Sequence, residues 1–320
     1  MARWLSAQQP CGSLRGSPAA GRSVLDGAPF GATQVARMQS VVMVSPLTKI
    51  TVEPNKELQS PFFVKRHLIV KRHDPNILDQ LYELTIELDD SKSTQALWVS
   101  SSHQPFPINL KLQDIQKSVK LGELMDTGCL NLAVRNMARQ DIENFKYTQG
   151  LGGQQGTQSS EIFISGRHIP YDASRSHMVF IPVQHDGHWA LYAFNMCDQK
   201  LCILDSLPDD REGGKDPMIR HENIRHAVCG VLSSTLDSAV NFLSWDYDFP
   251  KLPRQQRSCD SGFFVFNFMK LWDGHRLVRW FSTETTELRK DFLAYVLSFN
   301  SNDDAAMPEN VTRCIKQLRG

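Results

Sequence analysis

Apolar runs along the second half of the chain predict a group of short strands. Runs over Met178–Val183, Trp189–Phe194 and Leu201–Leu204 are each bounded by turn residues, as is typical of strands. The turns between them are short, so the three strands are expected to pair as antiparallel hairpins. A fourth strand is predicted over Phe242–Phe249.

Helical spacing of apolar residues predicts five helices around these strands. Asp126-Thr127 can cap one of them, which then repeats apolar residues at Leu130, Val134 and Met137. The other four helices are predicted over Asn76–Leu88, Pro217–Leu236, Ser261–Trp272 and Thr285–Leu297.

Composition divides the chain into four segments. Asp26 is the one acidic residue among the first 50, which are rich in Arg, Gly, Ala and Ser. Residues 1–55 are therefore predicted to be disordered and to make no pairing with the core, with an organelle transit peptide as the alternative. Residues 56–109 are predicted to pack as an extension on the main domain, which spans 110–300. Residues 301–320 are predicted to form a C-terminal tail.

Charge and cysteine content exclude several classes of protein. The 320 residues carry 35 basic and 35 acidic side chains, without the basic excess of a nucleic-acid-binding protein. No apolar stretch is long enough to span a bilayer. The seven cysteines include no CxxC pair, and Gly150–Gly156 is out of register with a dinucleotide fingerprint. We therefore expect an intracellular protein, in the nucleus or cytoplasm, with no metal, cofactor, nucleic-acid partner or membrane partner.

Four polar residues occupy positions from which they can form a nucleophilic site. His188 opens one predicted strand and Asp205 closes the next, 17 residues later (205 − 188 = 17), so a hairpin brings them side by side. An aspartate there can accept the ring N–H of His188 and orient it as a base. Ser261 begins an apolar helix whose N-terminus favours an anion, and Gln255 precedes it with an amide that can hold an oxyanion. Taken singly, these features also fit a surface histidine, a turn aspartate and a capped core helix.

The order of these motifs resembles the SUMO- and sentrin-specific protease family of cysteine peptidases, nearest to a divergent branch associated with plant mobile elements. The matching residues are His188-Trp189, Asp205-Ser206, Gln255 and the run from Asp260 to Gly262. The resemblance implies an α+β, papain-like fold of the ubiquitin-like protease type, with a central mixed sheet flanked by helices. It also implies that His188 is the general base, Asp205 its orienting partner, Gln255 the oxyanion donor and Trp189 a wall of the channel for a Gly-Gly tail.

Two positions depart from the family pattern. The family has its nucleophilic cysteine between Asp260 and Gly262, where this chain has Ser261, and it usually has an aromatic channel wall at the place of Leu124. A hydroxyl ionises far less readily than a thiol, so the exchange is expected to add on the order of 5 kcal/mol to the barrier. Cys259 is predicted to lie about 6 Å too far along the loop to substitute.

The resemblance implies a ubiquitin-like protein, SUMO-like in kind, or its conjugates as the partner. The expected function is hydrolysis of the peptide or isopeptide bond after the C-terminal glycine of that partner, impaired by Ser261. One alternative is a catalytically inactive pseudoprotease that binds ubiquitin-like proteins without cutting them. Another is a decaying copy of a mobile-element protease with no current role.

Overall fold

Strands and helices alternate through the part of the computed structural model that is described, which comprises residues 37–38, 42–46, 74–101, 107–148, 176–207, 217–235, 240–298 and 307–319. The strands are β1 (Arg37–Met38), β2 (Val42–Pro46), β3 (Leu97–Ser101), β4 (Ile108–Lys111), β5 (Ser176–His185), β6 (His188–Asn195), β7 (Lys200–Leu204) and β8 (Asp246–Asp248). The helices are α1 (Pro75–Glu87), α2 (Ser91–Thr94), α3 (Leu112–Val119), α4 (Thr127–Thr148), α5 (Pro217–Thr235), α6 (Ser261–Leu271), α7 (Thr285–Ser298) and α8 (Glu309–Arg319).

The central sheet is mixed. β5 pairs antiparallel with β6, β6 pairs antiparallel with β7, and β8 joins β7 in parallel. β1 and β2 both pair antiparallel with β5, and β3 and β4 form a separate two-stranded sheet. The predicted hairpins of the three long strands are therefore confirmed, since β5, β6 and β7 follow one another in sequence and in space.

Helices cover both faces of the central sheet. In β6, Leu191 belongs to a core that also contains side chains of α6 and α7. The next residue, Tyr192, belongs to a second core shared with Val228 of α5. Successive residues of a strand point to opposite faces of the sheet, and both faces are buried here. The strands therefore appear in the sequence as unbroken apolar runs. The architecture is α+β, with a mixed sheet flanked by helices, as predicted.

Helix α6 runs through the middle of the larger core. It is apolar on every side, and Phe263, Phe264 and Phe266 have no exposed surface. A helix that is apolar all round is stable only when it is buried on all sides. Packing against β6, α4 and α7 therefore fixes the position of its first residue, Ser261.

The N-terminal segment departs from its prediction. β1 and β2 lie within residues 1–55, yet both are hydrogen-bonded to β5, with Arg37 opposite Gln184 and Val42 opposite Phe180. The expectation that this segment makes no pairing with the core is therefore wrong for these two stretches. The valine-rich run at 41–44 has a high strand propensity, and β5 offers it a free edge.

The C-terminal segment also departs from its prediction, because residues 309–319 form helix α8 and not a tail. Val311, Cys314, Ile315 and Leu318 are buried in the larger core. Their spacing of three and four residues is that of one helix face, a pattern that the sequence interpretation overlooked. Helix α8 packs on α1 and α7, so this segment is part of the domain.

The predicted fourth strand is shorter than expected. Phe242–Ser244 form a turn of 3-10 helix, and strand β8 covers only Asp246–Asp248. Phe242 and Trp245 are buried against Phe194 of β6, so the aromatic residues of this segment serve packing more than pairing. The prediction of a fourth strand is therefore confirmed only over Asp246–Asp248, because the apolar period did not distinguish a turn from a strand.

Two observations bear on the classes of protein that the composition excluded. No helix in the described ranges is long and apolar enough to cross a bilayer. The cysteines within those ranges are free, at positions 129, 197, 202, 229, 259 and 314.

Candidate active site

A tight turn places His188 at the first position of β6. The two residues before it, Asp186 and Gly187, both have positive φ, at 49° and 76°. Positive φ at both central positions is the requirement of a two-residue type I′ hairpin, for which Asp-Gly is a favoured sequence. His185 and His188 then face each other as the last pair of the β5–β6 ladder, at the end of the sheet.

Asp205 lies at the same end of the sheet, directly after β7. Leu204, the last residue of β7, is paired with Leu191 of β6, so the antiparallel register brings Asp205 level with the start of β6. The Nε2 atom of His188 lies 2.7 Å from Oδ1 of Asp205. The predicted contact between these two residues is therefore present, and it leaves Nδ1 of the imidazole as the ring nitrogen that can act as a base.

The carboxylate of Asp205 is almost fully buried and is saturated with donors. Besides His188, its Oδ1 accepts the backbone N–H of Leu207 at 2.8 Å, and its Oδ2 accepts from Arg220 and His221, both at 2.9 Å. Burial alone would raise the pKa of Asp205, but hydrogen bonds from His188 and His221, with the charge of His188 and the Leu207 N–H, hold that pKa well below its ordinary value. Asp205 is thus a carboxylate that stays ionised beside the base.

His221 of α5 is a member of this network that sequence reasoning missed. Its Nε2 contacts Asp205, and its Nδ1 lies 2.7 Å from the hydroxyl of Tyr192. Burial, followed by the charge of Asp205, raises the pKa of Tyr192, which therefore remains a neutral donor. His221 shares the buried face of α5 with Ile224 and Val228 at helical spacing. A titratable residue on an apolar face is the signal that could have revealed it.

The loop carrying Gln255 is attached to the chain that follows Asp205. The Gln255 N–H donates to the carbonyl oxygen of Ser206 at 2.9 Å, and the Ser206 hydroxyl donates to Oε1 of Gln255 at 2.6 Å. Arg254 donates to the carbonyl oxygens of Asp205 and Leu207. Because Oε1 is held by Ser206, the amide group of Gln255 is oriented with its N–H donors turned the other way, as an oxyanion donor requires.

Ser261 begins helix α6, and its side chain is buried. Its Oγ accepts the backbone N–H of Trp189 at 3.1 Å, so the hydroxyl touches the residue next to His188. Within the described residues no hydrogen bond joins this hydroxyl to His188 itself. The structure therefore brings His188, Asp205 and Ser261 to one place, with the hydroxyl bound to backbone and not to the base.

A buried ion pair stands behind Ser261. Asp260 accepts from Nη1 of Arg289, in α7, and from the hydroxyl of Thr285 at 2.7 Å, and neither Asp260 nor Arg289 has exposed surface. Cys259 is also buried, and its sulfur lies 3.6 Å from Nη2 of Arg289 and 3.7 Å from Asp260. Cys259 thus contacts the ion pair behind Ser261, and among the described residues its sulfur makes no hydrogen bond to His188.

Trp189 and the residues before α4 form a wall beside Ser261. A Cβ atom on Gly262 would lie 2.7 Å from Cβ of Met125 and 3.3 Å from Cδ1 of Trp189, so only glycine fits at this position. Leu124 is 41% exposed and packs over Gly187, where a Cβ atom would lie 3.5 Å from Cδ1 of Leu124. The two positions that the resemblance assigns to the channel therefore both lie close to Ser261. Trp189, however, has no exposed surface, so its ring is packed in the core and is not open to a tail in this structure.

The chemistry available here is acid–base and nucleophilic. Across the part of the chain that the structure describes, no group of three or more His, Cys, Asp or Glu side chains is arranged to hold a metal ion. The polar groups near one another are the imidazole of His188 with its carboxylate and the hydroxyl at the start of α6. The amide of Gln255 is tied to Ser206, the residue after Asp205. That set can activate a hydroxyl, or bind a carbonyl group next to it.

Comparison with known proteins shows which domains this one resembles. Residues 138–286 match the family model of the Ulp1 protease family, C-terminal catalytic domain. The C-terminal Ulp1 protease domain solved in complex with Smt3, the yeast orthologue of SUMO, is 13% identical to this chain, with 72% of this chain and 97% of that one covered and a TM-score of 0.50. The Chaetomium thermophilum Ulp1-like SUMO protease catalytic domain is 13% identical, with 76% and 96% covered and a TM-score of 0.46.

The structural likeness at this level of identity supports the fold alone. The residues that match the family model contain His188, Asp205, Gln255 and Ser261. Residues 138–286 are therefore similar to the catalytic domain of the Ulp1 protease family.

Proposed function

We propose that this domain binds the C-terminal tail of a ubiquitin-like protein, SUMO-like in kind, or of its conjugates, and hydrolyses the bond after the terminal glycine only slowly. Support comes from the similarity to the Ulp1 protease family and from the hydrogen-bonded pair of His188 and Asp205 beside one hydroxyl. The observation that carries the proposal is the hydroxyl of Ser261, which is bonded to the Trp189 N–H at 3.1 Å and not to His188.

In the proposed reaction each residue has one role. Nδ1 of His188 takes the proton of the Ser261 hydroxyl as its oxygen attacks the carbonyl carbon of the terminal glycine. An N–H of Gln255 stabilises the oxyanion that forms, and Asp205 stabilises the imidazolium through Nε2. His188 then gives the proton to the leaving amine, and water hydrolyses the ester, returning the hydroxyl to Ser261.

The slow step in this proposal is the first proton transfer. A cysteine at this position would exchange its proton with His188 before attack and form a thiolate–imidazolium pair. A serine must lose its proton during attack, and here it must also break its bond to the Trp189 N–H and turn toward the base. Replacing a catalytic cysteine in this way is expected to add on the order of 5 kcal/mol to the barrier.

A pseudoprotease is the second candidate, and the burial of Ser261 favours it. Ser261 has no exposed surface, and its hydroxyl joins the start of α6 to the backbone of β6 by a buried hydrogen bond. In this alternative the domain retains the tail-binding site but holds a ubiquitin-like protein without cutting it.

The test compares the full chain with its Ser261→Cys and Ser261→Ala forms. Each is treated with a ubiquitin-like protein that ends in a thiol-reactive group, and separately with a ubiquitin-like precursor that carries a cleavable reporter. We expect Ser261→Cys to be labelled at residue 261 and to hydrolyse the reporter at least about 10³-fold faster than the starting chain. The starting chain and Ser261→Ala should bind the mature ubiquitin-like protein with similar affinity.

Three outcomes decide among the candidates. Turnover by the starting chain that Ser261→Ala removes would show slow hydrolysis, whereas binding without turnover would show a pseudoprotease. A folded Ser261→Cys form that neither binds nor reacts would overturn both, and would favour a decayed copy. The location in the nucleus or cytoplasm stays a prediction from the sequence.

A further inference from the structure

Arg289 occupies an unusual position between the nucleophile helix and the loop that carries Leu124. It has no exposed surface, and its guanidinium carbon lies 4.5 Å from the centre of the Phe263 ring. On one side Nη1 donates to Asp260, the residue before Ser261. These contacts with Asp260 and Phe263 hold the start of α6 in place.

On the other side the same guanidinium reaches the segment between α3 and α4. We call residues 120–125 the wall loop. Nε of Arg289 donates to the carbonyl oxygen of Lys120 at 3.3 Å, and Nη2 donates to that of Glu123 at 3.1 Å. Between these two anchors Gly122 has a φ of 88°, a conformation that other residues rarely adopt. The loop is therefore held at both ends of a sharp turn by one side chain.

The wall loop in turn contacts the residue after Ser261. Met125 lies so close to Gly262 that no Cβ atom fits between them, and Leu124 packs over Gly187, next to His188. The position of the wall loop against Gly187 and Gly262, beside His188 and Ser261, is consequently set by where the loop is anchored. The guanidinium of arginine is planar and carries five N–H donors, so it can bind the wall loop and the start of α6 at the same time. A lysine ammonium cannot do this in the same geometry.

We propose that Arg289 is a positioning residue that fixes the width of the tail-binding cleft, by fastening the wall loop to the start of α6. The inference rests on the proposed function for the identity of the ligand, a ubiquitin-like tail. It goes beyond that function by assigning substrate selection to a buried residue that touches neither the tail nor the base.

The first test separates the cleft from the nucleophile. In the Ser261→Cys background, two reagents are compared, a small alkylating agent and a ubiquitin-like protein with a thiol-reactive C-terminus. Labelling is read at residue 261 by peptide mass spectrometry, because Cys197 is exposed and also reacts. Arg289→Lys keeps a cation beside Asp260 but cannot hold both loop carbonyls. We expect labelling by the ubiquitin-like reagent to fall at least tenfold, and alkylation by the small agent to change less than threefold.

A second variant leaves the buried ion pair of Arg289 and Asp260 intact, so it separates an effect on the loop from an effect on the stability of the fold. Gly122→Ala has open space for its methyl group but strains a backbone with positive φ, so it displaces the loop without touching Asp260. The same selective loss is expected. Lys290→Gln is the matched control, because Lys290 is the adjacent cation of α7 and pairs with Asp79 and Glu287. It should leave both reactions unchanged.

Amide hydrogen exchange tests the fastening without any ligand. In the full chain with Ser261 in place, Arg289→Lys should increase exchange in residues 120–125 at least tenfold, with little change in the later turns of α6. If Arg289→Lys leaves amide hydrogen exchange in residues 120–125 unchanged, the proposal is overturned, whatever the function of the domain is. Increased exchange with undiminished labelling by the ubiquitin-like reagent would show that the loop is fastened but does not select the tail. If Ser261→Cys itself never reacts with that reagent, the proposed function fails, and the exchange result still stands on its own.

Discussion

The two halves of the site differ in how completely they match a working protease. The sheet half contains His188 and Asp205, whose carboxylate receives donors from His188, Leu207, Arg220 and His221. The helix half contains Ser261 and faces Leu124, the two positions where the chain departs from the pattern that the resemblance implies. The hydroxyl there is bonded to a backbone N–H and not to the base. The sheet half is joined by hydrogen bonds between side chains, while the hydroxyl of the helix half is bonded to the backbone.

This difference shows why retained catalytic partners are weak evidence of activity. Asp205 is 6% exposed, and an ionised carboxylate at that depth destabilises the fold strongly unless donors surround it. His188 and His221 are thus required by folding as well as by chemistry. Ser261 carries no comparable constraint, because a buried hydroxyl bonded to an N–H is stable in a core. Loss of activity can therefore begin at the nucleophile and leave the sheet half intact.

The largest effect is expected from removing the base once a thiol is present. In the Ser261→Cys background, His188→Ala should lower the rate of hydrolysis of a ubiquitin-like precursor by roughly 10³-fold, because the thiolate loses its imidazolium partner. In the starting chain the same substitution should leave the affinity for the mature ubiquitin-like protein within about threefold. Steady-state kinetics and calorimetry measure the two quantities. A loss of affinity as large as the loss of rate would show that His188 serves binding, and the two halves would not be separable.

The amide of Gln255 should have the next largest effect. Gln255→Ala in the Ser261→Cys background is expected to lower kcat by about 10²-fold, because one donor to the oxyanion disappears. Ser206→Ala is the matched control, since it releases Oε1 of Gln255 without removing the amide, and it should lower kcat much less. Equal losses in the two variants would mean that orientation by Ser206 contributes as much as the amide itself.

Asp205→Asn tests the structural role of the sheet half in the starting chain. The variant should lower the free energy of unfolding at pH 7 by roughly 2–3 kcal/mol, because hydrogen bonds to a charged acceptor are lost. The folded-state pKa of Asp205 lies below its unfolded value, so its carboxylate stabilises the fold above about pH 4, and that contribution is lost as the pH falls further. Denaturation at pH 7 and near pH 3 should therefore show a steeper acid loss in the parent than in the variant. Parallel acid losses would show that other carboxylates dominate.

The smallest effect is expected at the channel wall. Leu124→Trp in the Ser261→Cys background should increase labelling by a ubiquitin-like reagent about threefold to tenfold, because an aromatic ring at this exposed position of the wall loop would give the tail a larger apolar contact. Labelling by a small alkylating agent should not change. An increase with both reagents would place the effect at the nucleophile instead of the wall.

Much of the fold could be predicted from the pattern of apolar residues. Strands β5, β6 and β7 and helices α1, α5, α6 and α7 lie within a few residues of their predicted bounds, because each is long and strongly periodic. The hairpin β3–β4 and helix α3 were not predicted, since their apolar runs are short. Helix α8 was not predicted, although its buried residues lie on one helix face: Val311, Cys314, Ile315 and Leu318. The polar stretch at residues 301–304 separates it from the rest of the domain in sequence.

The sequence by itself determined the order of His188, Asp205, Gln255 and Ser261 and the pairing of the first two, since a hairpin of that length allows few other registers. The tertiary structure alone decided which atoms satisfy them. His221 and Arg289 join the site from two separate helices, through contacts that no local pattern encodes. Whether the Ser261 hydroxyl faces the base or the Trp189 N–H depends on how α6 packs against β6, and that packing is set by the whole core.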